Sequence, residues 1–134
     1  MHRIIDTFHE WTGLTTTTLL YDSNRDEYSC DRLFDAVVKK PNVALVAFTR
    51  ENDVFGVFYT IPARVQMVDY DDPNLFIFSL ESNGRCATPQ RFSAKPERRA
   101  KTHVCFYKDD LYRRFVTCGT SWPGYFSLGY EQSD

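Results

Sequence analysis

The nine residues Asp72-Pro73-Asn74-Leu75-Phe76-Ile77-Phe78-Ser79-Leu80 join a turn signal to a strong strand signal. Proline cannot donate a ladder hydrogen bond and therefore fits the start of a strand, and the aromatic and aliphatic residues after it favour β structure. Ser82-Asn83-Gly84 comes next and carries the Asn-Gly pair that is typical of tight hairpin turns. We therefore predict that residues 85–92 run back beside residues 75–80 as an antiparallel hairpin.

Similar signals occur on both sides of this hairpin. Residues 43–48 and 54–60 flank the polar segment 49–53, which predicts a second hairpin, and the unbroken apolar run at 43–48 is typical of a strand covered on both faces. Many short strands with two short helices indicate an α+β domain of two stacked antiparallel β-sheets, a β-sandwich with two or more short peripheral helices. The other predicted strands are 15–21, 65–68, 104–107, 111–118 and 125–130, and the predicted helices are 2–11 and 30–40.

Length and composition fit one folded domain over residues 1–134, because the chain is close to the commonest domain size. The formal charge of −2 gives the whole chain no tendency to bind polyanions. We see neither a secretory signal nor an apolar stretch of membrane-spanning length. We therefore expect an intracellular, cytoplasmic protein without membrane insertion, with the nucleus as the second compartment to consider.

The cysteines are far apart in the sequence and form no Cys-x-x-Cys pair, so neither a zinc cage nor a redox dithiol is indicated. The intracellular setting favours reduced thiols, although two bridges in any of three connectivities stay open. The cysteines are Cys30, Cys86, Cys105 and Cys118.

Four segments of the chain follow one another in an order found in a known family. They are Leu19-Leu20-Tyr21-Asp22-Ser23-Asn24-Arg25-Asp26 with Phe34, then Asn52-Asp53-Val54-Phe55-Gly56, then Tyr70, and finally the stretch from Asp72 to Leu80. Together they resemble the TLDc domain over about residues 14–93. Val57 departs from the family, which usually has a second glycine there, and the glycine-rich closing part is faint in residues 118–130. The chain is therefore a divergent, short version of the domain, with a truncated C-terminus left open.

The resemblance implies a two-sheet β-sandwich with peripheral helices that acts by binding a protein. The family is linked to protection against oxidative stress and to binding of the vacuolar proton-pumping ATPase, which makes that ATPase the candidate partner. Enzymatic chemistry is not part of what the resemblance implies. We therefore expect a non-enzymatic module with no catalytic residue and no cofactor.

Positive charge is concentrated between residues 85 and 108, where seven lysines and arginines accompany a single acidic residue, Glu97. Flexible cations on an exposed loop can reach phosphates, and an exposed tryptophan can anchor a protein partner. The alternative function is therefore a nucleic-acid-binding or transcription-associated protein whose affinity for the nucleic acid falls steeply with salt. The simpler interpretation of the same residues is a solvated loop. The candidate partner- or nucleic-acid-binding residues are Arg91, Lys95, Arg98, Arg99, Lys101 and Trp122.

Other chemistry-bearing residues have structural explanations. The acidic cluster of Asp69, Asp71 and Asp72 lacks the spacing of an EF-hand loop, and the Asp72-Pro73-Asn74 turn explains it, so we predict no metal site. His103 and Cys105 could act as base and nucleophile, but alternation along a strand places them on one face for structural reasons. A second set of this kind consists of Asp26, Ser29 and Cys30.

Two further alternatives stay open at this point. A cysteine with a low pKa could give the chain a redox activity, although Cys86 and Cys105 both lie in predicted strands. An exposed edge strand could also pair two copies of the chain, which would make a homodimer.

Overall fold

The computed structural model describes residues 2–81, 89–93, 102–108, 114–120 and 125–129. Within these ranges the chain forms two helices and two antiparallel sheets of four strands each, which confirms the predicted α+β fold. The elements are α1 (His2–Thr12), α2 (Cys30–Val37), β1 (Val43–Phe48), β2 (Val54–Tyr59), β3 (Tyr70–Asp71), β4 (Phe76–Glu81), β5 (Gln90–Ser93), β6 (Thr102–Phe106), β7 (Arg114–Thr120) and β8 (Tyr125–Gly129).

Sheet A has the strand order β1-β2-β4-β5, and sheet B has the order β3-β6-β7-β8. The predicted hairpin at residues 43–60 is confirmed by the pairing of β1 with β2, from Val43 opposite Tyr59 to Phe48 opposite Val54. The hairpin predicted from residues 75–80 and 85–92 is confirmed by the antiparallel pairing of β4 with β5. The turn predicted at residues 82–84 lies outside the described residues. The last three strands of sheet B correspond to the strands predicted after residue 100.

The core lies between the two sheets. Tyr59 of β2 meets Phe106 of β6 across this space, with their ring centroids 6.0 Å apart. Phe34 of α2 packs on the same Phe106 ring at 5.4 Å, so α2 belongs to this core. Ser29 begins α2 as its N-cap, as its residue type predicts, and accepts a hydrogen bond from the Arg32 N–H at 3.1 Å.

Helix α1 covers the outer face of sheet A and forms a second apolar cluster there. Phe8 lies 4.9 Å from the Phe78 ring and Trp11 lies 5.8 Å from the Phe76 ring, both edge to face. Such aromatic pairs contribute about 0.5–1.5 kcal/mol beyond the area that they bury. Helix α1 is therefore attached to the sheet by aromatic contacts.

Gly56 and Val57 face opposite sides of sheet A and show why the chain keeps one family glycine and lacks the next. A Cβ on Gly56 would clash with the Leu45 carbonyl oxygen and lie 2.8 Å from Cζ of Phe78, so the residue must be small. Val57 faces the other way and is fully buried between the sheets. The second glycine of the family is thus replaced by a side chain that fills the core.

Two predicted strands are wrong. Residues 15–21 have no regular secondary structure and pair with no strand in the described ranges, and residues 14–19 are exposed. Threonine-rich sequence favours strands because it suits a half-buried pleated surface, and this run faces solvent instead. Residues 65–68 form a turn instead of a strand. Ala63, which is fully buried, is the nearest core residue before this turn.

The structure also corrects the predicted end of one helix and the predicted burial of one strand. The helix predicted at 30–40 ends at Val37, because Val38 is extended and Lys39 takes a left-handed backbone conformation with φ 63°. Strand β1 was expected to be covered on both faces, but it is an edge strand of sheet A whose Ala44 and Phe48 side chains are exposed.

Asp72 holds the crossing from sheet B to sheet A. It follows β3 and precedes β4, and its side chain is completely buried. The carboxylate accepts hydrogen bonds from the backbone N–H and the hydroxyl of Thr60, the latter at 2.8 Å, and from the Asn74 N–H at 3.0 Å. Because Thr60 directly follows β2, one carboxylate fastens the end of β2 to the turn that starts β4.

Replacing Asp72 with alanine should lower the free energy of unfolding by about 2 kcal/mol, because the part-buried donors of Thr60 would lose their acceptor. Asp72→Asn keeps one carbonyl oxygen and should lose less. Urea denaturation at neutral pH measures both effects. The control is Asp71→Ala, an exposed neighbour, and a loss for Asp72→Ala no larger than the control's would contradict the assignment.

Candidate protein-binding surface

Arg91 is the one residue among the candidate binding residues that the structure describes. It lies on β5, the edge strand of sheet A beside β4, and is exposed. The other candidates lie outside the described residues: Lys95, Arg98, Arg99, Lys101 and Trp122.

The guanidinium of Arg91 contacts the protein itself. It lies over the Phe76 ring, 5.0 Å from the centroid, and Nη1 donates a hydrogen bond to the Trp11 carbonyl oxygen at 3.1 Å. That carbonyl is in the last turn of α1, where the helix leaves carbonyls without intrahelical partners and favours positive charge. Arg91 therefore joins β5 to the end of α1.

A shallow groove of about 370 Å³ lies beside this contact, between the end of α1 and the outer face of sheet A. Aromatic rings form part of its lining, and Arg91 is the one charged residue among the residues around it. The lining residues are Trp11, Thr12, Leu14, Asn42, Phe58, Thr60, Pro73, Asn74, Phe76, Arg91 and Ser93.

Arg91→Ala should lower the free energy of unfolding by about 1 kcal/mol, because the cation–π contact and the bond to α1 are both lost. Arg91→Lys keeps the charge and should recover part of that loss. Arg64→Ala removes another exposed arginine and is the matched control. Equal midpoints in urea for Arg91→Ala and the control would show that the contact adds nothing.

A second exposed feature is the turn at residues 64–68, which we call the apolar loop. Three of its five side chains are apolar and exposed: Val65 at 52%, Met67 at 37% and Val68 at 43%. Single exposed apolar residues are common on protein surfaces, whereas neighbouring ones are typical of interaction sites. Methionine in such a place suits contact with a partner because its side chain is adaptable.

Hydrogen bonds to sheet B fix the backbone of the apolar loop. The Met67 N–H donates to the Phe106 carbonyl oxygen at 2.6 Å, and the Val65 N–H donates to the Tyr70 hydroxyl at 2.9 Å. Phe106 belongs to β6 and Tyr70 to β3, so both anchors are strands.

The side chain of Gln66 adds a third attachment. Its Nε2 donates to a carboxylate oxygen of Asp31 at 2.8 Å and to the Tyr107 carbonyl oxygen at 3.0 Å. Met67 has φ 67°, which is unfavourable for a residue with a Cβ and costs on the order of 1–3 kcal/mol. The loop is thus a strained turn held in place by its neighbours.

The TLDc domain model matches residues 1–128, which is nearly the whole chain. The chain belongs to the TLDc domain family. No curated protein and no solved structure gives a match to it. The resemblance over residues 14–93 is therefore confirmed and extends further toward the C-terminus.

The first TLDc motif, residues 19–26, forms a loop braced by its own side chains. A carboxylate oxygen of Asp22 accepts from the Asn24 N–H at 2.9 Å, and one of Asp26 accepts from the Asp22 N–H at 3.0 Å. The Arg25 guanidinium lies 2.9 Å from Asp26, and this hydrogen bond lowers the pKa of the Asp26 carboxyl group. The motif residues described here therefore shape the turn before α2.

The sequence offers two sets of possible catalytic residues, and in this TLDc domain their cysteines are buried. Cys30 is 1% exposed and belongs to the core cluster, while Asp26 pairs with Arg25. Cys105 is 4% exposed, and burial raises the pKa of its thiol to about 11, with the nearby Asp69 carboxylate adding to the effect. At pH 7 roughly one Cys105 thiol in ten thousand is then ionised, and the thiolate is the reactive form.

Alkylation of Cys105 by iodoacetamide should be slow at pH 7 and should accelerate about tenfold per pH unit up to pH 10, because the thiolate fraction rises that way below the pKa. Mass spectrometry of the labelled peptide follows Cys105 separately from the other cysteines. The unfolded protein in urea is the control and should label faster at every pH. Rapid labelling of folded Cys105 at pH 7 would contradict the raised pKa.

The described ranges hold no group of three or more histidine, cysteine or acidic side chains arranged to bind a metal ion. Asp72 instead accepts hydrogen bonds in the turn before β4, and its neighbours Asp69 and Asp71 are exposed. None of the helices in those ranges is long and apolar enough to cross a membrane.

Proposed function

We propose that this TLDc domain is a non-enzymatic protein-binding module that contacts its partner through the apolar loop. The candidate partner is the vacuolar proton-pumping ATPase, and the cellular role is protection against oxidative stress in the cytoplasm. Both come from the family, whereas the contact surface comes from the structure.

The apolar loop carries the proposal because its exposed side chains stand on a fixed backbone. Binding a partner through a mobile loop would cost ordering entropy, and the bonds to Phe106 and Tyr70 have already ordered this one. A small apolar centre surrounded by polar residues is the usual form of a protein interface. Arg64 and Gln66 supply polar neighbours within the loop itself.

A non-enzymatic role is supported by the surroundings of the candidate nucleophiles. The raised pKa of Cys105 disfavours the thiolate that cysteine chemistry needs. Ser29 serves as the N-cap of α2, where its hydroxyl oxygen accepts a backbone hydrogen bond. Cys105 and Ser29 therefore have structural roles.

Binding of the purified vacuolar ATPase to the immobilised chain tests the proposal. The variant Val65→Ser/Met67→Ser/Val68→Ser should bind about a hundredfold more weakly, since the few residues at the centre of an interface carry most of the binding energy and cost about 2 kcal/mol or more on truncation. The three side chains are exposed, so the variant should keep the circular dichroism spectrum and urea midpoint of the wild type.

Leu14→Ser/Leu19→Ser is the control, because both are exposed leucines far from the apolar loop in sequence. This control should bind like the wild type. Equal losses in both variants, or wild-type binding by the triple variant, would remove the apolar loop as the contact surface. Failure of the wild type to bind would remove the ATPase as the partner.

The nucleic-acid alternative has little support in the described residues. Arg91 is its one described candidate, and the guanidinium is held by Phe76 and Trp11. A binding site for phosphates needs several cations free to contact the backbone of the nucleic acid. The alternative therefore stays a prediction that rests on the remaining cations of the basic segment 85–108.

A further inference from the structure

Strand β1 is an unprotected edge of sheet A. Its neighbour in the sheet is β2, and no other described strand pairs with it. An edge strand presents unpaired backbone N–H and carbonyl groups that can pair with another strand. Soluble proteins usually block such edges with charges, proline, bulges or very short strands.

None of these protections occurs within β1. Its sequence Val-Ala-Leu-Val-Ala-Phe has no charge and no proline, and its register with β2 is regular over six residue pairs. The other three edges differ: β5 carries Arg91, β3 has only two residues, one of them Asp71, and β8 pairs with β7 through an irregular register. Among edge strands whose side chains are described, β1 is therefore the one suited to pairing.

From this we infer that β1 pairs antiparallel with β1 of a second copy of the chain, which joins the two A sheets into one sheet of eight strands. The inference concerns a different surface from the apolar loop and does not depend on the proposed function.

The alternation of β1 restricts the register of this pairing. A two-fold axis perpendicular to the sheet keeps its faces, so each residue must lie opposite a residue of the same face. The register with Val46 opposite Val46 of the second copy meets this condition and places Ala44 beside Phe48. The Phe48 ring, 62% exposed in one chain, then gains a partner small enough to lie under it.

The outer face of sheet A leaves room for this contact. Val46 touches the edge of the apolar cluster under α1, while Ala44 and Phe48 remain exposed beyond it. Antiparallel pairing therefore extends the cluster along β1 instead of competing with α1 for the same surface.

The charges at the two ends of β1 have opposite signs, so they are complementary when two copies pair in the antiparallel direction. The residues before β1 include Lys39 and Lys40, which carry two positive charges. The residues after it include Arg50, Glu51 and Asp53, with a net charge of −1. Antiparallel pairing brings each positive end against the negative end of the other copy, and such complementarity favours this partner and direction.

Sedimentation equilibrium of the full chain at about 100 µM tests the inference, a concentration that detects small, weak interfaces. The wild type should have twice the 15.7 kDa mass of one chain. Ala44→Lys should return the mass to that of one chain, because the lysine would displace Phe48 of the second copy. Gln90→Lys, an exposed substitution on the opposite edge strand β5, is the matched control and should stay dimeric.

A charge exchange separates this pairing from other modes of dimerisation. Lys40→Glu and Glu51→Lys should each weaken the dimer roughly tenfold, since each pair occurs twice. The double variant should recover most of the affinity. Circular dichroism confirms that each variant is folded, and both residues are exposed.

A wild type with the mass of one chain would overturn the inference. So would a dimer that neither Ala44→Lys nor the single charge reversals weaken, because the copies would then pair elsewhere. Loss of the dimer in Gln90→Lys would overturn it as well, since that result would place the contact on β5.

Discussion

The buried carboxylate of Asp72 fastens the turn that begins β4 to the end of β2, the strand beside it in sheet A. It lies where the chain leaves β3 in sheet B and enters β4 in sheet A, and its hydrogen bonds to Thr60 and Asn74 fix both the end of β2 and the new turn. A buried carboxylate is stable when hydrogen-bond donors surround it, and the donors of Thr60 and Asn74 do so here. Pro73 and Asn74 complete a turn whose geometry the carboxylate determines. The start of β4 is thus fixed by polar contacts, whereas apolar contacts such as that between Tyr59 and Phe106 hold the two sheets together.

This role gives a physical reason for the most recognisable TLDc motif. The aspartate supplies the acceptor, and the asparagine supplies the backbone N–H that binds it. The apolar residues that follow alternate between the two sides of sheet A, with Leu75 and Ile77 on the side of the inter-sheet core and Phe76 and Phe78 on the α1 side. Turn, strand direction and strand faces are thus encoded together in nine consecutive residues.

Sequence alone predicted the fold where local preference and burial agree. Strand β4 was clear because its apolar alternation and preceding turn indicate the same structure. Residues 15–21 have equally good strand preference but no partner strand in the described ranges, and preference without pairing does not make a strand. Pairing between distant segments, which determines whether β1 is an edge, has no local signal at all.

The surface was harder to predict than the core. Residues 65–68 were predicted as a short strand, while the hydrogen bonds that hold them as a turn come from Phe106, Tyr70 and Asp31. Pro62 and the strained conformation at Met67 are consistent with a turn, but the second is visible only in the structure. Arg91 was chosen for its charge, and its contact with Phe76 could not be read from spacing.

The strand order also has a consequence for biosynthesis. All of sheet A lies before residue 94, whereas β6, β7 and β8 of sheet B lie after residue 101. At about 5–20 residues per second, a ribosome needs roughly 2–7 seconds to add the remaining segment after sheet A has been made. During that interval Val57 and Tyr59 have no Val104 or Phe106 to cover them. The nascent chain therefore passes through a half-built sandwich with an open apolar face, which is the stage at which chaperones have most to bind.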